Sequence, residues 1–171
     1  MSVNLILIGY MGCGKTSVGE VLASVLDRDF YDLDTLIVEQ QGQDIGGIFQ
    51  QQGETGFRHI EHETLKTFLR SRIGYVLSVG GGTPCHHDHM TLMNEYAKTV
   101  YLQTSVSILF QRLRLQKSSR PMISQLSDGF LHEFIIEHLP KREFFYNKAH
   151  KRINVNDILV QEIAREIKNW V

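Results

Sequence analysis

The chain has 171 residues, of which 42% are hydrophobic and 22% charged, with only three prolines and a formal net charge of −1. That length suffices for one well-cored domain, and the composition excludes a disordered or fibrous chain. The near-neutral charge excludes a global basic field for nucleic acid or a membrane surface, so any phosphate recognition must be local.

Met1 to Asn4 carry no basic leader pattern and run directly into Leu5-Ile6-Leu7-Ile8, a continuous apolar stretch that predicts a strand buried on both faces of a parallel sheet. Next comes Gly9-Tyr10-Met11-Gly12-Cys13-Gly14-Lys15-Thr16, which reads G-x-x-x-x-G-K-[ST]. Beyond it Val18, Val21, Leu22 and Val25 place one apolar stripe on a helix beginning near Lys15. A loop of this type, set between strand and helix, binds polyphosphate through backbone N–H groups and the positive end of the helix dipole, and glycines let the backbone curl around the anion. Lys15 supplies a mobile positive charge for the β- and γ-phosphates, and the Thr16 hydroxyl can ligate Mg²⁺. Cys13, inside the loop, reads first as a small loop residue rather than a reactive thiol.

Phe30-Tyr31-Asp32-Leu33-Asp34 predicts a short strand ending in acids, so Asp32 and Asp34, two apart, are expected on one face of an extended segment. Beside a nucleotide, one carboxylate helps hold hydrated Mg²⁺ and the other orients a substrate hydroxyl or accepts its proton. Helices are expected over Thr35 to Gln41, Ile45 to Gln52 and about Thr55 to Leu69, the last carrying Arg58 early in its course. A guanidinium there suits bidentate capture of a carboxylate.

Tyr75 to Val79 predicts another buried strand, and Gly80-Gly81-Gly82 after it implies close approach by a ligand or another backbone. Val100-Tyr101-Leu102 is a further strand, and Thr104 or Ser105 caps a helix with Val106, Leu109, Phe110 and Leu113 on one face. Arg114 to Ser127 is polar and holds little to anchor a core, so it is expected to be mobile; its Arg120, before Pro121, would swing over the γ-phosphate as a lid. A long helix from about Gly129 to Ala149, interrupted near Pro140, carries Arg142 as a second carboxylate clamp. A strand over Arg152 to Val155 and a helix marked by Leu159, Ile163 and Ile167 close the chain.

The alternation predicts a three-layer α/β domain with a central parallel sheet. Loops at the carboxyl ends of such strands converge on one crevice, so the phosphate loop, Asp32 with Asp34, Gly80 to Gly82 and Thr104 are expected along a single sheet edge. The histidines at 59, 62, 86, 87 and 89 invite a zinc reading, but they are spread over helix faces without the converging ligands and open position that catalytic zinc needs.

These motifs, in this order and at these separations, resemble the shikimate kinases: the phosphate loop, Phe30-x-Asp32-x-Asp34, Gly53-Glu54-x-x-Phe57-Arg58, Gly80-Gly81-Gly82, Arg120-Pro121, and Arg142 before Phe144 and Tyr146. The resemblance spans nearly the whole chain. It implies a three-layer α/β/α P-loop kinase fold with a mobile lid over about residues 113–127, and ATP-dependent phosphorylation of the 3-hydroxyl of shikimate, with ATP and Mg²⁺ as cofactors and a substrate-binding segment over about residues 32–62. Asp34, Arg58, Gly80, Gly81, Gly82 and Arg142 would then hold shikimate, and Asp32 and Thr16 would fix Mg²⁺. Gly12, Cys13, Gly14, Lys15, Thr16 and Ser17 would hold the nucleotide, with Lys15 and Arg120 steadying the phosphoryl group and Asp34 as the candidate base. Whether a true base is needed is open, because a loose phosphoryl-transfer transition state asks mainly for positioning and charge stabilisation. For adenine stacking Arg114 is the first choice and Arg112 the alternative.

The rivals are a related small-molecule kinase, such as a gluconate or nucleotide kinase, and a nucleotide-dependent switch. The first lacks the Asp34, Arg58, triple-glycine and Arg142 set; the second calls for N-K-x-D, and Asn147-Lys148-Ala149-His150 lacks the acid. Two cysteines, no membrane-length apolar run and no spare apolar stripe give the expectation of a cytoplasmic monomer with no nucleic-acid or membrane partner.

Overall fold

The computed structural model describes residues 3–117 and 123–171, so Arg120 and Pro121 lie outside the described residues. Among the described residues five strands, all parallel, form a sheet in the order β2-β3-β1-β4-β5. They are β1 (Leu5–Ile8), β2 (Asp29–Asp32), β3 (Tyr75–Ser78), β4 (Lys98–Gln103) and β5 (Lys151–Asn154). Every residue of β1 and β3 is buried, as required of inner strands with helices on both faces. The helices among the described residues are α1 (Lys15–Leu26), α2 (Leu33–Gln41), α3 (Ile45–Ser71), α4 (His89–Tyr96), α5 (Val106–Arg114), α6 (Asp128–Tyr146) and α7 (Val160–Trp170). The predicted three-layer α/β architecture is the one observed.

Helices pack in pairs, α1 on α7, α2 on α3 and α5 on α6. α5 is capped by Ser105, whose Oγ accepts the amide of Ile108 at 3.4 Å. α3 joins two of the expected helices across a break at Gly53, where φ is 66° and ψ −174°. Among the described residues no helix is long and apolar enough to cross a membrane.

Five local expectations need correction. β2 ends at Asp32, and Asp34 lies in the first turn of α2, because the Asp32 carboxylate caps that helix. α1 buries Val18, Gly19, Leu22 and Ala23 and leaves Val25 43% exposed. The face turns toward Gly19 because the Phe30 ring of β2 packs directly on it; a Cβ there would stand 2.3 Å from the ring. Pro140 sits inside an unbroken α6, held down by buried Leu131, Ile135, Leu139 and Tyr146, and Leu159 is the exposed residue ahead of α7. The segment before α6 does reach the core: Ile123 is fully buried and Leu126 packs against the cluster.

Ile123 is thus a core anchor in the segment between α5 and α6. Ile123→Ala is expected to lower unfolding free energy by about 2–5 kcal/mol. Urea titration measures it, and a loss below about 1 kcal/mol would contradict the packing.

Candidate active site

The phosphate loop leaves β1 at Gly9, where φ is 148° and a Cβ would stand 2.9 Å from the Leu102 carbonyl oxygen. Only glycine fits that conformation and that space. Gly14, at φ 99°, opens α1, whose first turn has no acidic residue and no side-chain cap. The orphan amides and dipole of that helix end therefore face the loop, as anion binding requires. The Lys15 ammonium donates to the carbonyl oxygens of Gly9 at 2.9 Å and Tyr10 at 3.1 Å, and lies 3.7 Å from Cys13 Sγ. Cys13 itself is buried, and Gly12, Thr16 and Ser17 line the same cavity of about 530 Å³ as Lys15.

Asp32 and Asp34 face that cavity across from the loop. They meet through a helix cap rather than through strand alternation. Asp32 Oδ1 accepts the amides of Asp34 at 3.0 Å and Thr35 at 3.4 Å, which leaves Oδ2 outside the cap. Thr16 and Asp32 thus offer oxygen donors alone, the set a hard divalent cation prefers. Burial pushes the Asp34 carboxyl from an ordinary 3.8 up to about 6, and the charges of Asp32 and Glu61 add to the effect, against Lys15 and Arg58.

The glycine run after β3 brings the remaining groups together. A Cβ on Gly80 would lie 3.3 Å from Asp34 Oδ1, on Gly81 3.3 Å from Arg142 Nη1, and on Gly82 2.9 Å from Arg58 Nη2. A side chain at Gly82 would collide with the Arg58 guanidinium, and side chains at Gly80 and Gly81 would crowd Asp34 and Arg142, so the bare backbone lets the three groups converge. Arg142 stacks over Tyr10, 5.3 Å from its ring centroid, and the Tyr146 hydroxyl donates to the Gly81 carbonyl. Arg58 Nη1 donates to Glu61 Oε2 at 2.8 Å, while its buried Nε makes no hydrogen bond. That Nε lies 3.6 Å from Glu54 Oε1, an ion-pair distance too long for a hydrogen bond, so the donors of the guanidinium are not all taken up within the protein and suit a carboxylate ligand.

Glu61 is the group that sequence reasoning passed over. It is 1% exposed and accepts from Arg58 on one oxygen and from Thr83 on the other, at 2.6 Å. Its place three residues after Arg58 on a helix was the available signal. On α5 the structure brings Arg112 to the cavity, bonded to the Gly12 carbonyl oxygen at 3.1 Å. Arg114, the sequence's first choice, is exposed, stands over Phe110 and is absent from the cavity wall. The two differ by about 200° around the helix, so only one can face the loop. Val155, Ile158 and Val160 form an apolar end to the cavity, while Thr104 is buried outside its wall. His62 and His89 turn ring nitrogens to each other, 2.9 Å apart.

The raised Asp34 pKa has a stability consequence of definite sign. Between 3.8 and about 6 the unfolded chain ionises at this carboxyl before the folded one, so stability falls as pH rises through that window and stays lowered above it. Asp34→Asn is expected to stabilise the ligand-free protein by about 1–3 kcal/mol at pH 7 and to have little effect at pH 4. Denaturant titrations at the two pH values measure this, and destabilisation at pH 7 would contradict it.

Comparison with known proteins agrees with the geometry. The family model described as shikimate kinase matches residues 11–171. A shikimate kinase from Flavobacterium johnsoniae is 37% identical over 164 residues, covering 95% of each chain. The crystal structure of shikimate kinase from Bacteroides thetaiotaomicron superposes with a TM-score of 0.92 at 36% identity, over 98% of this chain and 97% of that one. The Acinetobacter baumannii shikimate kinase in complex with shikimate gives a TM-score of 0.85 at 32% identity, over 99% and 93%. With the match running almost end to end, in sequence and in structure, the chain belongs to the shikimate kinase family.

Proposed function

We propose that Asp34, Arg58 and Arg142 hold shikimate over the glycine run while Lys15, Thr16 and the phosphate-loop amides hold ATP. The activity of the family is transfer of the γ-phosphoryl group of ATP to the 3-hydroxyl of shikimate, giving shikimate 3-phosphate and ADP in aromatic amino-acid biosynthesis. The assignment of residues rests on one observation: three consecutive glycines would each place a Cβ against a different charged group, Asp34, Arg142 and Arg58. Two guanidiniums match one carboxylate, and the single acid is left for a hydroxyl.

In this reading Asp34 accepts a hydrogen bond from the 3-hydroxyl and aligns its oxygen with the γ-phosphorus. The new oxygen–phosphorus bond forms as the bridge to the β-phosphate breaks, ADP leaves, and the hydroxyl proton passes to Asp34 or onward to water. A carboxyl titrating near 6 is ionised at neutral pH and able to take that proton. Lys15 and the α1 amides oppose the charge on the phosphates. Asp32 and Thr16 would hold Mg²⁺, which when bound neutralises phosphate charge. Arg112 takes the nucleotide-side position and Val155, Ile158 and Val160 the adenine side. The large exposed apolar residues are dispersed over α1, α3 and α6 and the loops, and both cysteines are free, which supports a monomer in a reducing cytoplasm.

A coupled ADP-release assay is expected to give turnover with ATP, Mg²⁺ and shikimate together, loss of turnover with EDTA and recovery on adding Mg²⁺. Equal turnover with gluconate in place of shikimate would contradict the reading. Arg58→Ala is expected to raise the KM for shikimate about ten- to a hundredfold, from roughly 1.5–3 kcal/mol for a charge-assisted contact, with the KM for ATP little changed. A variant weakened equally toward both substrates would refute the assignment.

A further inference from the structure

Behind Arg58 the structure holds a chain of buried hydrogen bonds that reaches no reacting atom and that the chemistry above does not use. Thr83 Oγ donates to Glu61 Oε1 at 2.6 Å, and the opposite oxygen of the same carboxylate receives Arg58 Nη1 at 2.8 Å. The Thr83 amide donates to the Gly80 carbonyl oxygen at 3.0 Å. Its own carbonyl oxygen lies 2.8 Å from His89 Nδ1, and His89 Nε2 lies 2.9 Å from His62 Nδ1. Thr83 and His89 are both fully buried.

The proton positions follow from the partners. A carbonyl oxygen only accepts, so His89 Nδ1 carries the hydrogen; neutral His89 then accepts at Nε2, and His62 donates from Nδ1. Burial holds the His89 pKa below its ordinary value, in keeping with a neutral ring. Every bond in the series therefore has one direction, from His62 through His89 to the backbone of Thr83, and separately from the Thr83 hydroxyl to Glu61. Thr83 is the joint. It is tied to the glycine run by its amide, to α4 by its carbonyl oxygen and to Glu61 of α3 by its hydroxyl, so the glycines and the Arg58 head group cannot shift independently.

We propose that Thr83 and His89 are positioning residues for acceptor binding, fixing Glu61, and through it the Arg58 guanidinium, against Gly82. This rests on the assignment of Arg58 to the shikimate carboxylate. With both Glu61 oxygens engaged, the carboxylate cannot rotate, and Arg58, with Nε also 3.6 Å from Glu54 Oε1, presents Nη2 beside Gly82 in one orientation before the acceptor arrives. Removing the hydroxyl of Thr83 frees one oxygen and lets the ion pair turn, at the expense of acceptor affinity and not of nucleotide affinity.

The test is a kinetic series on the intact enzyme, with circular dichroism as the folding control. Thr83→Val is expected to raise the KM for shikimate about five- to twentyfold, with kcat and the KM for ATP within about twofold, and Thr83→Ser to restore the shikimate KM to within about twofold of the parent. His89→Leu is expected to move the shikimate KM in the same direction, and His89→Asn, which keeps a donor, to move it much less. A Thr83→Val enzyme with an unchanged shikimate KM, or with both KM values raised together, overturns the inference. If Thr83→Val does not fold, the His89 pair decides: equal shikimate KM values for His89→Leu and His89→Asn overturn it. Arg58→Ala separates the two levels, since an unchanged shikimate KM there overturns the underlying assignment, whereas a raised one beside a silent Thr83→Val overturns only this inference.

Discussion

A sheet whose inner strands are buried on both faces leaves polar chemistry nowhere to go except the strand ends. That constraint governs the molecule. Because all five strands run parallel, their carboxyl ends open on one edge, and the phosphate loop, the α2 cap and the glycine run are brought together by topology before any side chain is chosen. The apolar runs of β1 and β3 are thus a precondition for the site as well as for the core.

At that edge the charges are arranged in opposition. Asp32, Asp34 and Glu61 stand against Lys15 and Arg58, and burial makes each sign costly without the other. The result is a carboxyl at Asp34 poised near 6 beside a lysine tied to its own loop carbonyls and an arginine clamped by a buried glutamate. Groups held this way need little reorganisation when a polyanion and a hydroxyl are brought between them.

Much of this was legible in the sequence where spacing alone fixes geometry. Gly9 to Thr16 between an apolar run and an amphipathic stripe determines a phosphate loop, and Gly80 to Gly82 after a buried strand announces close approach. What was not legible depends on local phase or on long-range partners. Asp34 was placed on a strand because an N-cap aspartate is itself extended, so the residues leading to it read as β until the cap closes. Arg112 and Arg114 are separated by the rotational phase of α5, which no motif records. Glu61 acquires its place only when Thr83 arrives 22 residues later in the chain. Ile123 and Leu126 lie in a stretch too short and too polar for a periodicity that would betray their burial.

The break at Gly53 bears on how this sequence can vary. The backbone there, at φ 66° and ψ −174°, lies in a region that is essentially restricted to glycine, yet a Cβ would meet nothing within 4 Å. The position is spatially permissive and conformationally closed. Its neighbours Gln50, Gln51 and Thr55 are exposed, whereas Glu54 stands 3.6 Å from Arg58 Nε. Gly53 alone decides where α3 turns, and hence the angle at which the half carrying Arg58 and Glu61 enters the site. A residue with open space where a side chain would stand is therefore among the least replaceable in the fold.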